Sequence, residues 1–261
     1  MENFSLLLPL KGRERCTKRI LKDLNKKKCP YKIIILDGGK DKSIEKWLLN
    51  SKNLPNLLYE YNRYPYDEDF ECFYKKMSNG VDKVKTSLVA AIDNDDFINL
   101  DGIQKCIKVL ENKSFSSARG AILQNNKNIY HHVPNSIINN TSLERFKDQT
   151  LHWGGNWHNV SRTIHLKALW KLIEIINPKN FRIVEQIAGY LLTLWGDSYR
   201  GDFPFIIRGK GGRIKISSGS LSDHFPSQEE WINADYWPSE FNKLVEVISA
   251  SISYFDNISI N

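Results

Sequence analysis

An apolar run ends in three carboxylates within four residues: Thr86-Ser-Leu-Val-Ala-Ala-Ile-Asp-Asn-Asp-Asp-Phe97. Packing cannot be their reason, because an unpaired carboxylate in a dry interior costs on the order of several kcal/mol and normally neutralises instead. A cation is expected nearby. In an extended chain alternate side chains share a face, so Asp93 and Asp95 converge on one hard cation while Asn94 points away. Oxygen ligands of this kind suit Mg2+ or Mn2+ and not zinc. The same residues also suit a turn, with Asn94-Asp95-Asp96 capping a helix that begins near Leu100-Asp101.

Charge is the second chemical feature. Lys11, Arg13, Arg15, Lys18, Arg19, Lys22, Lys26, Lys27 and Lys28 follow one another, opposed only by Glu14 and Asp23. A field this one-sided attracts phosphate groups or acidic lipid headgroups; the alternative is a solvated helix face. No nucleic-acid-binding motif accompanies it, so nucleic acid is not expected as a partner. His131, His132, His152, His158 and His165 lack HExxH or other zinc spacing, and none is assigned as a ligand. Cys16, Cys29, Cys72 and Cys106 are scattered without CxxC spacing, which fits reduced, buried, structural thiols.

The elements that position these groups follow from periodicity. Phe4 to Leu10 reads as a buried strand. A helix follows, with Cys16, Ile20 and Leu24 on one stripe, and Tyr31 to Leu36 is a second strand running into Asp37-Gly38-Gly39-Lys40-Asp41. Ser43 to Ser51 reads as a short helix and Leu57 to Tyr61 as a third strand. Phe70, Phe73, Tyr74, Met77, Val81 and Val84 form a helical stripe leading into the strand Ser87 to Ile92. This alternation predicts an α/β fold with an open, mostly parallel sheet flanked by helices, whose ligands lie beyond the carboxyl ends of the strands. Leu10 to Arg13, Asp37 to Asp41 and Asp93 to Asp96 all stand at such ends and should meet at one crevice. Beyond about residue 120 periodicity weakens and a loop-rich stretch is expected to Thr141. Helices are expected at Leu166 to Ile176, about Ile183 to Trp195 and Glu240 to Phe255, and a strand at Phe205 to Arg208.

The chain has 261 residues, 41% hydrophobic with seven Trp, and a net charge of +7 from 37 basic and 30 acidic residues. That supports a sizeable core, and without a visible linker or repeat one domain over 1–261 is expected. No stretch is apolar enough to span a bilayer, and Pro9 breaks the first apolar run too soon for a secretory signal. Cytoplasmic residence is the expectation.

Ser5-Leu-Leu-Leu-Pro-Leu-Lys-Gly-Arg13, Ile33-Ile-Ile-Leu-Asp-Gly-Gly39 and Ala91-Ile-Asp-Asn-Asp-Asp-Phe97 occur in an order and at intervals that resemble the GT-A glycosyltransferases, closest to the bacterial family 2 type. The resemblance covers roughly residues 4 to 110. It implies a nucleotide-sugar donor half at 1–110 and an acceptor half with a C-terminal helix at 111–261. Carried over, Leu10 and Arg13 would line the base pocket beside Gly38. Asp37 would accept a hydrogen bond from a base N–H, which a uracil-like base supplies. Asp93 would face ribose or metal and Asp95 the metal, with Asp96 behind it or as an alternative ligand, and Mn2+ or Mg2+ would neutralise the departing diphosphate. His224 could add a late imidazole to the metal or diphosphate, as in some GT-A enzymes. Family 2 resemblance also implies inversion at the anomeric carbon.

The resemblance further predicts a Glu-Asp pair at a helix start in the second half, with the Asp as base. Here Glu185 is followed by Gln186, and glutamine cannot accept a proton; Glu185 is then the candidate base, with Asp197 or Asp202 as alternatives. Arg208, Lys210 and Arg213 lie in a basic glycine-rich loop suited to close over a diphosphate. Trp153 and Trp157 could stack on a sugar acceptor, and Arg162 could bind an acceptor phosphate. The implied activity is sugar transfer to a glycan or lipid-linked acceptor in cell-surface polysaccharide synthesis. The amphipathic C-terminal helix is expected to pack on the core, with dimerisation or peripheral contact with a membrane as the alternatives, and the oligomeric state is not legible. A sugar-nucleotide pyrophosphorylase would want a GxGTRL-like loop, which Pro9 to Arg13 lacks. A non-catalytic nucleotide-sugar or glycan-binding domain would explain Gln186.

Overall fold

The computed structural model describes residues 3–124, 129–130, 135–153, 158–208 and 228–257. Its first half is the expected alternation: β1 (Phe4–Leu10), α1 (Glu14–Lys26), β2 (Lys32–Asp37), α2 (Ser43–Leu48), β3 (Tyr59–Arg63), α3 (Phe70–Asp82), β4 (Leu88–Ala91), β5 (Phe97–Ile98) and α4 (Leu100–Val109). The second half adds β6 (Phe115–Gln124), β7 (Ile129–Tyr130), α5 (Ser142–Leu151), β8 (Val160–Arg162), α6 (Thr163–Ile176), α7 (Phe181–Leu194), β9 (Asp197–Arg208), α8 (Gln228–Ile232) and α9 (Trp237–Asp256).

One sheet threads both halves in the order β3-β2-β1-β4-β8-β6-β9-β5, with β7 beside β6. Its long ladders, β1 with β2 and β4, β2 with β3, and β6 with β9, are parallel. The short strand β8 runs antiparallel to both β4 and β6 and joins the halves. This is an α/β fold with a mostly parallel sheet flanked by helices.

The strands are apolar on both faces because both faces are covered. Leu6, Leu8, Ile33, Ile35 and Ala90 pack with Leu21 and Leu24 of α1 and Ile103 of α4 on one side. Leu7, Ile34, Leu36 and Val89 pack with Tyr74 of α3, Trp170 of α6 and Ile187 of α7 on the other. Each such fully buried leucine or isoleucine is worth roughly 1.5–3 kcal/mol relative to exposure.

Several differences from the sequence reading have local causes. β3 lies two residues later than expected, and β9 begins at Asp197, eight residues before the expected Phe205. The stretch from about residue 120 to Thr141, expected to be loop-rich, holds the end of β6, the strand β7 and a bridge from Ile137 to Ser198; β6 begins with polar residues whose partners are remote, such as the Ser116 hydroxyl on the carbonyls of Leu192 and Asp197. Asn99, not Asn94 to Asp96, caps α4, accepting from the Asp101 and Gly102 amides at 3.0 and 3.2 Å. Cys16, Cys29 and Cys106 are buried as expected, while Cys72 is only half-buried. Among the described residues no helix is long and apolar enough to cross a membrane.

Candidate active site

β4 ends at Ala91 and the chain then turns through Asn94 and Asp95. Extended alternation therefore stops before it reaches the carboxylates, and it does not place Asp93 and Asp95 on one face. Asp93, Asp96 and His158 each present one ligand atom, all within 4.8 Å of one another. Asp95 is engaged elsewhere: Arg13 Nη1 donates to its Oδ2 at 2.7 Å, and Arg19 Nη2 donates to its carbonyl at 2.5 Å. Asn94 is buried and donates to Thr17 Oγ1 at 3.0 Å. The loop after β4 is thus tied to the start of α1. Gly12 and Arg13 both hold positive φ there (143° and 53°), a conformation costly for arginine and sustained by its partner.

His158 was not among the ligands expected from sequence. The antiparallel pairing of Leu88 with Arg162 and Val89 with Ser161 brings the two residues preceding β8, His158 and Asn159, beside the residues following β4. His158 Nε2 accordingly lies 3.5 Å from Asp93 Oδ2. Burial pushes its pKa down, more than Asp93 and the Ala91 backbone push it up, and Arg208 and Arg119 add to the lowering. A neutral imidazole is the form that binds a metal. Two carboxylates and one imidazole fit a divalent cation.

At the carboxyl ends of β1 and β2, Leu10 stands opposite Asp37, and the Gly38 amide donates to the Leu10 carbonyl at 2.9 Å. Asp37 is 3% exposed. Its Oδ1 accepts the Gly39 amide at 2.8 Å, its Oδ2 accepts the Tyr61 hydroxyl at 2.7 Å, and Arg63 Nη1 lies 3.1 Å from Oδ2. Burial, with the bond to Asp37, pushes the Tyr61 pKa up. Beneath this loop Lys76, 1% exposed, donates to the Leu10 carbonyl at 2.7 Å and pairs with buried Asp67. Desolvation moves both toward neutrality, Lys76 down and Asp67 up. The Asp67 carboxylate fills the space a Cβ on Gly38 would need, which explains glycine there. Of the basic run, Arg13 and Arg19 face this site, whereas Lys18 and Lys27 pair with Glu14 and Asp23 of their own helix.

On the other side, Glu185 is exposed in the second turn of α7 and Gln186 is half-buried. Gly189 lies one turn on, where a Cβ would stand 2.6 Å from Trp153 Cη2. Trp153 is 45% exposed and its ring centroid lies 5.3 Å from that of Tyr190. Arg162 Nε donates to the Phe115 carbonyl at 2.8 Å and its Nη2 to the carbonyls of Leu110 and Asn112 at 3.1 and 2.9 Å, which ties it to the turn before β6. Arg208 ends β9, within electrostatic reach of His158. Trp157, Lys210, Arg213 and His224 lie outside the described residues.

The parallel β3-β2-β1-β4 sheet, with acidic residues and a histidine beyond β4, is a fold shared with solved glycosyltransferase structures. Among solved structures, TarS 1-349 of S. aureus is similar with a TM-score of 0.59 at 13% identity, over 97% of this chain and 66% of that one. TarS 1-349 in complex with UDP-GlcNAc gives 0.59 at 15% identity, over 97% and 74%. The mannosyltransferase PcManGT from Pyrobaculum calidifontis, in complex with GDP-Man and Mn2+, gives 0.54 at 9% identity, over 81% and 58%. The chain thus spans just under two thirds of the first of these structures, and at such identities the likeness is one of fold. No protein-family model matches the sequence, and no curated protein sequence does.

Proposed function

We propose that this chain is a metal-dependent, inverting glycosyltransferase that moves a sugar from a nucleotide diphosphate donor, UDP-linked as first choice, to a glycan or lipid-linked acceptor. The observation that carries this reading is the convergence of Asp93, Asp96 and His158 within 4.8 Å beyond β4. β4 neighbours β1 at the point where the strand order reverses, the usual ligand crevice of such sheets. Neighbouring folds that hold UDP-GlcNAc, or GDP-Man with Mn2+, support it.

Asp93, Asp96 and His158 would hold a divalent cation, which supplies charge neutralisation to the departing diphosphate. Leu10, Arg13, Gly38 and Asp37 would line the base pocket. Gly39, Tyr61 and Arg63 orient the Asp37 carboxylate, and a carboxylate has about four acceptor positions, so a base N–H remains compatible. Glu185 would accept the acceptor proton, and Trp153 would present an aromatic face to a sugar ring. Arg208 would screen the diphosphate.

Titration of the chain with UDP and Mn2+, followed by incubation with UDP-sugars, tests this. Mn2+-dependent binding and turnover are expected, with binding lost in Asp93→Ala and turnover alone lost in Glu185→Gln. Metal-independent turnover, or equal binding by Asp93→Ala, would sink it. Gln186 favours one other reading, a donor-binding domain without catalysis, which tight UDP–Mn2+ binding without turnover would establish.

A further inference from the structure

Arg119 of β6 and Arg200 of β9 stand directly opposite each other in the parallel ladder. Two residues earlier in the same rows, the hydroxyls of Ser117 and Ser198 meet at 3.2 Å, so Arg119 and Arg200 leave the sheet on the same face as this serine pair. Arg200 is buried, donating through Nη2 to Gln149 Oε1 and through Nη1 to the His152 carbonyl at 3.2 Å. Arg119 is half-buried. Burial pushes both guanidinium pKa values down to about 10, and Arg119 lowers Arg200 further. Both are still protonated at neutral pH, so two positive charges lie side by side where water screens them poorly.

Their surroundings indicate what such a pair meets. Arg119 acts electrostatically on His158, which touches Asp93. Gln149, the Arg200 acceptor, also reaches the Gly189 position beside the Trp153 ring. The arginine row therefore runs between the acidic cluster and the side of the molecule carrying Trp153 and Glu185. Guanidinium groups are suited to phosphate oxygens, which they bind as a fork. We propose that Arg119 and Arg200 form an anion seat that takes a substrate phosphate group beside the Asp93–His158 cluster. The phosphate duty that sequence offered to Arg162 would fall to this pair. Only the source of the phosphate rests on the transferase reading.

Thermal melting of the full chain with inorganic phosphate, without metal, tests the seat, because a ligand that binds only the folded state raises Tm. Phosphate is expected to raise the Tm of the wild type, with apparent affinity at least tenfold weaker in Arg119→Met and in Arg200→Met and unchanged in Lys75→Met. If Arg200→Met fails to fold for want of its Gln149 and His152 bonds, Arg119→Met carries the comparison. No rise in the wild type, or an equal rise in the arginine variants, overturns the proposal. Phosphate that still binds under saturating UDP and Mn2+ assigns the seat to an acceptor phosphate; displacement by UDP assigns it to the donor diphosphate. Arginine-dependent phosphate binding without any UDP binding keeps the seat and sinks the transferase.

Discussion

Arg13 Nη1 donates to Asp95 Oδ2 at 2.7 Å across 82 residues of sequence. The pair joins the turn after β1 to the turn after β4, the two loops that flank the crevice. It also removes Asp95 from the company of Asp93, whose partners are Asp96 and His158. Arg13, read from sequence as a base-pocket residue, therefore also acts on the geometry of the acidic loop.

Metal affinity should separate the three carboxylates. Asp93→Asn and Asp96→Asn are expected to weaken Mn2+ binding by about tenfold or more, whereas Asp95→Asn should leave it near wild type. Because the Arg13–Asp95 pair is partly exposed, with side chains 29% and 18% accessible, its loss should cost no more than about 1 kcal/mol. Calorimetric titration with Mn2+ decides this; an Asp95→Asn defect as large as that of Asp93→Asn would restore the alternating pair.

Lys76 and Asp67 should be strongly non-additive. Lys76→Met alone leaves a buried carboxylate uncompensated and is expected to cost about 3–5 kcal/mol, while Lys76→Met with Asp67→Asn should recover much of that loss. Urea unfolding of the two singles and the double measures the coupling. Additive losses would mean that Lys76 matters through its bond to the Leu10 carbonyl instead.

Stability should fall in mild acid through His165. Burial lowers its pKa to about 4, with Arg162 contributing, so the folded state keeps the imidazole neutral. The unfolded chain binds a proton from about pH 6.5 downward, the ordinary range for histidine. A depressed base contributes stability that is present above pH 6.5 and is lost as pH falls toward 4, on the order of 3 kcal/mol at most. Urea midpoints for wild type and His165→Gln at pH 7, 5.5 and 4.5 test the sign: the variant should show the flatter curve.

Gly189→Ala should act on the acceptor side alone. The new methyl would meet the tip of the Trp153 ring, which is half-exposed and can move, so a stability cost of only about 1 kcal/mol is expected. Trp fluorescence should shift and transfer to an acceptor should fall, with UDP–Mn2+ binding preserved. Weakened donor binding would show that Trp153 serves the donor.

Much of the first half was legible because its signals are local. The continuous apolar runs of β1, β2 and β4 are buried on both faces, and the stripes of α1 and α3 show helical spacing at its simplest. The second half hides its elements in polar residues whose partners are remote. Buried Arg145 of α5 donates to the carbonyls of Thr193 and Leu194, and Ser142 to that of Leu194. One local signal does mark the second half: the Thr141–Glu144 capping box that opens α5.

By itself the sequence determined that strand ends would carry Leu10 to Arg13, Asp37 and Asp93 to Asp96, since apolar runs and the polar residues that stop them are local facts. Only the tertiary structure decided which groups meet. The turn after Ala91 breaks the alternation, Arg13 takes Asp95, and the antiparallel β8 delivers His158 to Asp93 from far along the chain. Register between distant strands sets these pairings, and spacing along one chain does not record it.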